Sequence, residues 1–504
     1  YDPNMNDTGA LPSLLSNTGI QTLRYPGGGY SDSYHWANFS ITPYFSSASP
    51  ACSQTADGYL ASDGDFGTFV KLVRASGAQA MITVNYGTSV ADALGSKTYG
   101  SDAQRTCSEP NTFGQPQEAA AWVAYANGSA SSTQLIGKDA TGFDWKTVGY
   151  WASMRAAFPL SSDDGYNFLR IGVAAPVGIK YWEIGNELYY NGWATNHNAE
   201  ADNHAPYVYP SGYTPGGYNS RASLDALSPT SYGTNAIQWI QAMKAVDPTI
   251  QIGVDFSSPI STDPIPLNWN PDLAKAVCAG SAIDFAIMHY YPGTWKAVLA
   301  NDLLTLPQAD IPNVVTNIRS ALASGCPTTA ATTKIFLTET SPNGALAPGF
   351  PAQALGLFAI NNFLTSLKSG VGNVNWLEMH DGTYLTSGES PGPAYYGIEM
   401  AHLLASPGDS VLSTFTSSGT VLTWATTKTN GHHGLLLVNA DADNPAIVQV
   451  TLNATVNGSA SKYSYGVGIT PSGPSLSGTP ATLAGSGVFT VTVPAYQAVE
   501  LDIP

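Results

Sequence analysis

The sequence predicts an α/β architecture: a (β/α)8 TIM barrel over residues 1–393, followed by an antiparallel β-sandwich over residues 394–504. Three observations carry that expectation. Near-continuous apolar strand-like runs alternate with helix-like runs along most of the chain, as in a parallel sheet covered by helices. Those strands repeatedly end in polar or ionisable residues, which is where a barrel carries its functional side chains. After about Ala394 the texture changes to short alternating strands such as VLTWATTK, HGLLLVNA and GVFTVTV, separated by Gly, Ser, Asn and Pro. That is the pattern of a sandwich.

The elements follow in order. QTLRYPGG, Gln21 to Gly28, reads as a strand ending in a Gly-rich turn, and the aromatic loop after it holds Asp32, Tyr34 and Trp36. DFGTFVKLVRASG has the periodicity of an amphipathic helix stopped by Gly77, and it leads into the buried strand AMITVNYG. The helix EAAAWVAYANG (Glu118 to Gly128) precedes a long insertion, Ser129 to Arg170, and then the strand IKYWEIGNE. NAIQWIQAMKAVDPTI, LAKAVCAG, VVTNIRSALASG and ALGLFAINNFLTSLKSG read as helices. IQIGVDF, IDFAIMHYYPG, KIFLTET and NVNWLEMHDG read as strands between and after them.

This count gives seven strands, near residues 21, 81, 180, 251, 284, 335 and 374. Tyr1 to Asn6 looks like the loop leaving an eighth, so the first barrel strand is expected upstream of Tyr1 or on a separate fragment. An open doubly wound sheet is the structural alternative. Such sheets usually bind through a Gly-rich nucleotide turn, and PGGG at Pro26 to Gly29 lacks the G-x-G-x-x-G spacing.

Composition narrows the partners. A chain of 504 residues, 43% of them hydrophobic, can bury a large core. With 19 Lys and Arg against 36 Asp and Glu, the formal charge of −17 opposes binding to phosphate backbones and anionic membranes. No apolar stretch approaches the roughly 20 residues that span a bilayer, and any secretory leader is expected to have been removed. Cys52, Cys107, Cys278 and Cys326 lack the close pairs of a zinc site. Two disulfides, Cys52 with Cys107 and Cys278 with Cys326, would staple long surface loops, although four cysteines allow three connectivities. Disulfides, few lysines and sequons at Asn6, Asn38, Asn127, Asn453 and Asn457 suit a secreted protein.

The strand ends carry Arg24, Asn85, Asn186, Glu187, Asp255, His289, Tyr291, Glu339, Trp376, Glu378 and His380. Glu187 and Glu339 stand about 150 residues apart, on what would be the fourth and seventh strands if one is missing at the start. Across a closed barrel those ends face one another. Facing carboxylates are what glycoside hydrolysis requires, one protonated to give a proton to the leaving oxygen and one ionised to attack or to activate water. Glu183, four residues below Glu187 on the same side, reads as a buried hydrogen-bonded residue.

LRYPGG (Leu23 to Gly28), EAAAWVAYANG, YWEIGNE, MHYYPG (Met288 to Gly293) and FLTET together resemble the clan of retaining (β/α)8-barrel glycoside hydrolases. Within it they are most similar to the family 51 α-L-arabinofuranosidases and to the family 79 β-glucuronidases and heparanase-like enzymes. The resemblance spans about residues 20 to 400. It implies that Glu187 is the general acid/base and Glu339 the nucleophile, with carboxyl groups about 5 Å apart. It also implies that Asn186 bonds the sugar 2-hydroxyl and that Tyr291 bonds the nucleophile. Arg24 would keep Glu339 ionised, and Trp376 would be a stacking platform. His289, Glu378 and His380 would line the site or pair structurally. Trp182, Tyr189, Tyr190 and Trp193 would form apolar surroundings for Glu187.

A neutral sugar is expected, arabinofuranoside first, because few arginines lie near the motifs. The insertion Ser129 to Arg170 and the loop Asn191 to Arg221 would shape the subsites. A β-glucuronidase, another β-glycosidase and an endo-glycanase of the same clan are alternatives. A non-catalytic carbohydrate-binding protein is the alternative of another class, opposed by the presence of both glutamates. No metal and no cofactor are expected, since neither H-E-x-x-H nor a nucleotide or flavin motif is present. Oligomeric state, and exo or endo action, are not encoded legibly.

Overall fold

Seven parallel strands taken in chain order form one nearly closed barrel sheet in the computed structural model of the protein. The structure describes residues 9–32, 34–37, 40–41, 64–86, 114–140, 142–190, 229–258, 268–292, 299–342, 346–380, 385–453, 456, 458–483 and 487–504. The strands are β1 Thr22–Tyr25, β2 Gln79–Val84, β3 Tyr181–Ile184, β4 Gln251–Asp255, β5 Phe285–Tyr290, β6 Lys334–Thr340 and β7 Asn373–Trp376. Each is the neighbour of the next. Register pairs Arg24 with Met81, Thr83 with Glu183, Glu183 with Gly253 and Asp255 with Ile287. These are the seven strands read from the sequence. The Tyr1 to Asn6 segment lies outside the described residues.

By contacts the chain forms two compact units. The first comprises residues 1–8, 22–289 and 316–338, and the second residues 9–21, 290–315 and 339–504.

In the first unit the barrel interior is layered. Met81, Tyr181, Phe285, Ile287 and Phe336 pack together near the strand starts. The rings of Phe285 and Phe336 are stacked with centroids 4.5 Å apart. Above them Arg24, Thr83 and Glu183 form a polar layer, and His289 and Thr338 a further one. Period-2 alternation sends Trp182 and Ile184 the other way, into the helix layer, where Trp182 meets Trp122 edge-on.

Local chemistry sets the helices. Asp65 caps Phe66–Ser76 by accepting the Thr68 N–H at 2.9 Å, and Gly77 ends it with φ +73°. Helix Pro116–Asn127 has proline in its first turn. Its C-terminal carbonyls are bonded by an arginine from the insertion. The guanidinium of Arg155, fully buried, donates to the carbonyls of Tyr125, Ala126, Gly128, Val173 and Ala174. Partial negative charge at a helix end thus takes the place of a carboxylate partner. Helix Ala300–Gly325 starts earlier than expected and runs through Pro307 and Pro312. The sequence reading begins this helix at Val314, after both prolines.

The disulfide Cys278–Cys326 forms as paired in the sequence reading, closing a separation of 48 residues. It corrects one detail. Cys278 ends helix Trp269–Cys278, and Cys326 directly follows Ala300–Gly325, so the bond ties two helix ends rather than surface loops. Cys52 and Cys107 lie outside the described residues. A second correction concerns Asn127. Its side chain donates to Ile179 O and to Asp247 and accepts from Ile179 N–H, each at 2.8 Å, so it is committed inside the fold and is not a free glycan acceptor. Asn453 is exposed, and Asn6, Asn38 and Asn457 lie outside the described residues.

In the second unit helices Ala354–Lys368 and Pro393–Leu404 cross closely. A Cβ on Gly397 would stand 2.1 Å from the Gly356 carbonyl oxygen, so glycine is required there. Two antiparallel sheets follow. One runs in the order β8 Ser410–Leu412, β9 Val421–Thr427, β10 His433–Asn439, β15 Gln497–Ile503, β12 Ser459–Gly466 and β13 Thr479–Thr482. The other pairs β11 Ala446–Thr451 with β14 Val488–Val493. Leu435, Leu437, Val499 and Leu501 of the first share one core with Val450, Phe489 and Val491 of the second. This is the sandwich expected from the alternation.

Candidate active site

The chemistry gathers where the barrel strands end. In the first unit β3 finishes at Ile184, and the chain turns through Gly185, Asn186 and Glu187, the last with φ +50°. A non-glycine residue in that region is strained and needs surrounding structure to hold it. Glu187 is fixed by two partners: the Tyr189 hydroxyl donates to its Oε1 at 3.0 Å, and His289 Nδ1 lies 2.8 Å from the same oxygen. The other ring nitrogen of His289 sits 3.2 Å from Thr338 Oγ1. His289 is buried, so its ring is held at both edges.

Below Glu187 lies the polar layer. Arg24 donates through Nε to Glu183 Oε2 at 2.6 Å and through Nη2 to Asn186 Oδ1 at 2.9 Å. Thr83 adds a 2.6 Å hydrogen bond to the same Glu183 oxygen. Asn186 is almost fully buried, and its Nδ2 has no partner among the described residues. A buried amide donor left open is costly unless something accepts from it, and a substrate hydroxyl would.

Asn85 donates to Tyr34 O at 3.3 Å and leaves its Oδ1 open. Asp255, at the tip of β4, is buried with neither carboxylate oxygen hydrogen-bonded. Burial, then the neighbouring carboxylates of Asp32 and Glu183, hold it well above the usual carboxylate range. The structure therefore combines Arg24, Asn186, Glu187 and His289 in one network.

In the second unit Tyr291 and Glu339 meet, the tyrosine hydroxyl donating to Glu339 Oε1. Glu339 is 6% exposed. Thr340 beside it donates to Tyr290 O and accepts from Asn362 Nδ2 at 2.8 Å, pinning this strand tip to helix Ala354–Lys368. Trp376 packs one side on Phe358 and Phe363, with centroids 5.7 and 6.4 Å away, and its indole N–H has no partner among the described residues. Glu378 is exposed, and His380 bridges to Thr386.

Two expectations change. Trp182 does not surround Glu187: its indole bonds Ile179 O at the strand start, and its ring faces the helices. The first part of the insertion lies at the other end of the barrel from Glu187. Gln134 bonds Ala245 O, and Asn127 just before it bonds Ile179, both positions that precede strands. Those residues support the barrel rather than shape subsites. Tyr190's side chain, Trp193 and the loop Asn191 to Arg221 lie outside the described residues.

One residue escaped the sequence reading. Asp32, fully buried, accepts the Asn186 N–H at 2.8 Å and the Tyr86 N–H at 3.2 Å. An aspartate in an aromatic, glycine-rich loop was visible, but nothing local connects it to residues 54 and 154 positions away.

No family model matches the chain. Among curated proteins, the "Alpha-L-arabinofuranosidase C" of Emericella nidulans is 22% identical over 241 residues, covering 47% of this chain and 30% of that protein. An Aspergillus terreus relative, "Probable alpha-L-arabinofuranosidase C", is 22% identical over 275 residues, half of this chain and 37% of its own length. The chain thus spans about a third of the length of the curated relatives it matches. Among solved structures, an α-L-arabinofuranosidase from Thermotoga maritima superposes with TM-score 0.63 at 15% identity, covering 98% of this chain and 89% of that one. A Paenibacillus polymyxa xyloglucanase of glycoside hydrolase family 44 gives TM-score 0.59 at 11% identity, with 97% and 94% covered. At such identities the likeness is one of fold: a barrel with an appended β domain.

Proposed function

We propose that the chain is a retaining glycoside hydrolase of the arabinofuranosidase type, with Glu187 as general acid/base and Glu339 as nucleophile. The observation that carries this reading is the distinct hydrogen bonding of the two strand-end glutamates, Glu187 by His289 and Tyr189, and Glu339 by Tyr291. Each carboxylate is oriented by neighbours, as catalytic groups must be. The curated relatives named as arabinofuranosidases support the substrate class.

In the mechanism, a Glu339 carboxylate oxygen attacks the anomeric carbon while the bond to the leaving oxygen breaks and Glu187 gives that oxygen its proton. A glycosyl ester forms on Glu339. Glu187, now ionised, takes a proton from water, the water oxygen bonds the anomeric carbon, and Glu339 leaves with its electron pair. Configuration is retained after two inversions. Asn186 Nδ2, the open buried donor, is assigned to the hydroxyl next to the anomeric carbon, a contact that strengthens as positive charge develops. Tyr291 steadies the attacking carboxylate. Arg24, which a uronate would call on, already bonds Glu183 and Asn186, in keeping with a neutral sugar.

The same reading takes residues 1–393 as the catalytic barrel, residues 394–504 as the sandwich, and the chain as secreted. In support of secretion, a disulfide is formed and no helix among the described residues is long and apolar enough to cross a membrane. Endo-cleavage of a β-glycan is a second reading, favoured by the fold shared with the Paenibacillus xyloglucanase.

Hydrolysis of 4-nitrophenyl furanosides and pyranosides of both anomers, glucuronide included, tests the proposal with wild type and Glu339→Gln in parallel. The expected result is cleavage of the α-L-arabinofuranoside with retention, seen in the first-formed anomer by NMR, and a loss of roughly 10⁴-fold or more in the variant. Cleavage of the glucuronide alone would overturn the neutral-sugar assignment. Release of oligosaccharides from xyloglucan without aryl-glycoside cleavage would favour the second reading. An unchanged rate in Glu339→Gln would remove the nucleophile assignment.

A further inference from the structure

The geometry points to Asp32 as the positioning residue of the acid/base turn, acting where the sheet can no longer hold its own strands. This inference rests on the reading of Glu187 as acid/base.

At the end of β3 the Gly185 N–H still reaches Val84 O, at 3.0 Å, as a ladder bond. One residue later the Asn186 N–H goes to Asp32 Oδ2 at 2.8 Å. On the neighbouring strand, two residues beyond Val84, the Tyr86 N–H goes to the other oxygen, Asp32 Oδ1, at 3.2 Å. One carboxylate therefore takes over from the sheet on two adjacent strands, and it is fully buried. A charged acceptor buried among backbone donors holds geometry more strongly than a neutral one.

What Asp32 holds is the part of the chain that would least hold itself. Gly185 has φ +76° and Glu187 φ +50°, so Asn186 lies between two residues in left-handed conformation. A Cβ at Gly185 would stand 2.8 Å from Leu188, 3.1 Å from Tyr86 and 3.3 Å from Asp32 Oδ1, so the turn and its clamp are packed directly together. Asn186 is thus fixed twice, through its N–H by Asp32 and through its Oδ1 by Arg24. Glu187 follows it and can reach His289 and Tyr189 only if the turn keeps this shape. Asp32 acts on the backbone that aims Glu187.

The test separates aim from fold. Wild type, Asp32→Asn, Asp32→Glu and Glu187→Gln are compared on α-L-arabinofuranosides of 2,4-dinitrophenol and of 4-methoxyphenol. The first leaving group departs without protonation, while the second needs the acid. Asp32→Asn keeps size but replaces one acceptor oxygen with an N–H donor. In kcat/KM, which reports only the step that expels the leaving group, it is expected to lose roughly 100-fold on the 4-methoxyphenyl glycoside, the scale of a misplaced catalytic group, and only a few-fold on the dinitrophenyl one. Asp32→Glu, which keeps both acceptors, is expected to recover part of the loss.

Equal losses on both glycosides would reduce Asp32 to a structural residue and overturn the inference, as would no loss on either. If Glu187→Gln itself shows no leaving-group dependence, the acid/base reading fails instead, and the two failures are distinct. Amide hydrogen exchange reads the clamp without any substrate. The Tyr86 and Asn186 amides, protected in wild type, are expected to lose protection in Asp32→Asn, and retained protection would overturn the clamp even in a protein that cleaves neither glycoside.

Discussion

Glu183 in the barrel and Glu500 in the C-terminal sheet are both fully buried, yet the protein treats the two carboxylates in opposite ways. Glu183 receives Arg24 and Thr83 on one oxygen, each at 2.6 Å. Glu500 has no hydrogen bond to either oxygen, and its nearest cation, Lys428, stands 3.6 Å away and is bonded at 2.7 Å to Asp502 instead. Burial pushes Glu500 up to about 8, with the Asp502 charge adding to the effect against Lys428. The barrel matches its buried charge because that network also holds Asn186. The sheet has no such need, and it accommodates its acid by keeping it protonated. Of these two carboxylates, the matched one belongs to the network that holds Asn186, and the one raised by burial makes the C-terminal sheet sensitive to pH.

The largest effect is expected from removing the matched cation. Arg24→Met leaves Glu183 buried beside Thr83 alone and should cost about 3–5 kcal/mol, the scale of breaking a buried ion pair, measurable by urea unfolding. A cost below about 1 kcal/mol would mean that Glu183 does not need its partner, and the contrast with Glu500 would collapse.

Smaller, and dependent on pH, is Glu500→Gln. The folded state holds the Glu500 proton up to about pH 8, whereas the unfolded chain releases it near the ordinary value of 4.5. Between those values the folded form binds more protons, so stability falls as pH rises through the window and levels off above it. Glu399, pushed up to about 7 by burial, adds in the same direction. Glu500→Gln should match wild type at pH 4 and be more stable at pH 9, the difference growing between those values. Thermal melts across that range check it, and a pH slope unchanged by the substitution would rule out Glu500 as its source.

The smallest effect is expected from Lys428→Met. If Glu500 is already neutral, only the partly exposed bonds of Lys428 to Asp502 and Leu403 O are lost, worth about 1 kcal/mol at neutral pH. A loss as large as that of Arg24→Met would show Glu500 to be ionised in the fold and the two regions to be alike.

Much of the architecture was legible because its signals are local. The βα alternation and the Gly77 stop are readable within short windows. The strand tips with Asn186, Glu187, His289, Tyr291 and Glu339 were legible for the same reason, since an apolar run that stops at a carboxylate is visible without knowing its neighbours. Even the place of Trp182 was available: alternation puts it on the face opposite Glu183, so its position among the helices follows from parity.

The partners were not available. That Asp32 joins Tyr86 to Asn186, that Arg155 is buried on helix carbonyls, and that Asn127 is consumed by Ile179 and Asp247 depend on residues 27 to 154 positions apart. Helix Pro393–Leu404, where short strands were expected to begin, is decided by its close packing on Ala354–Lys368. By itself the sequence determined which elements form and which residues end them, because periodicity, capping and turn chemistry act over a few residues. Only the tertiary structure decided which buried polar groups are satisfied and by whom, because closing a barrel brings together donors and acceptors that no local pattern relates.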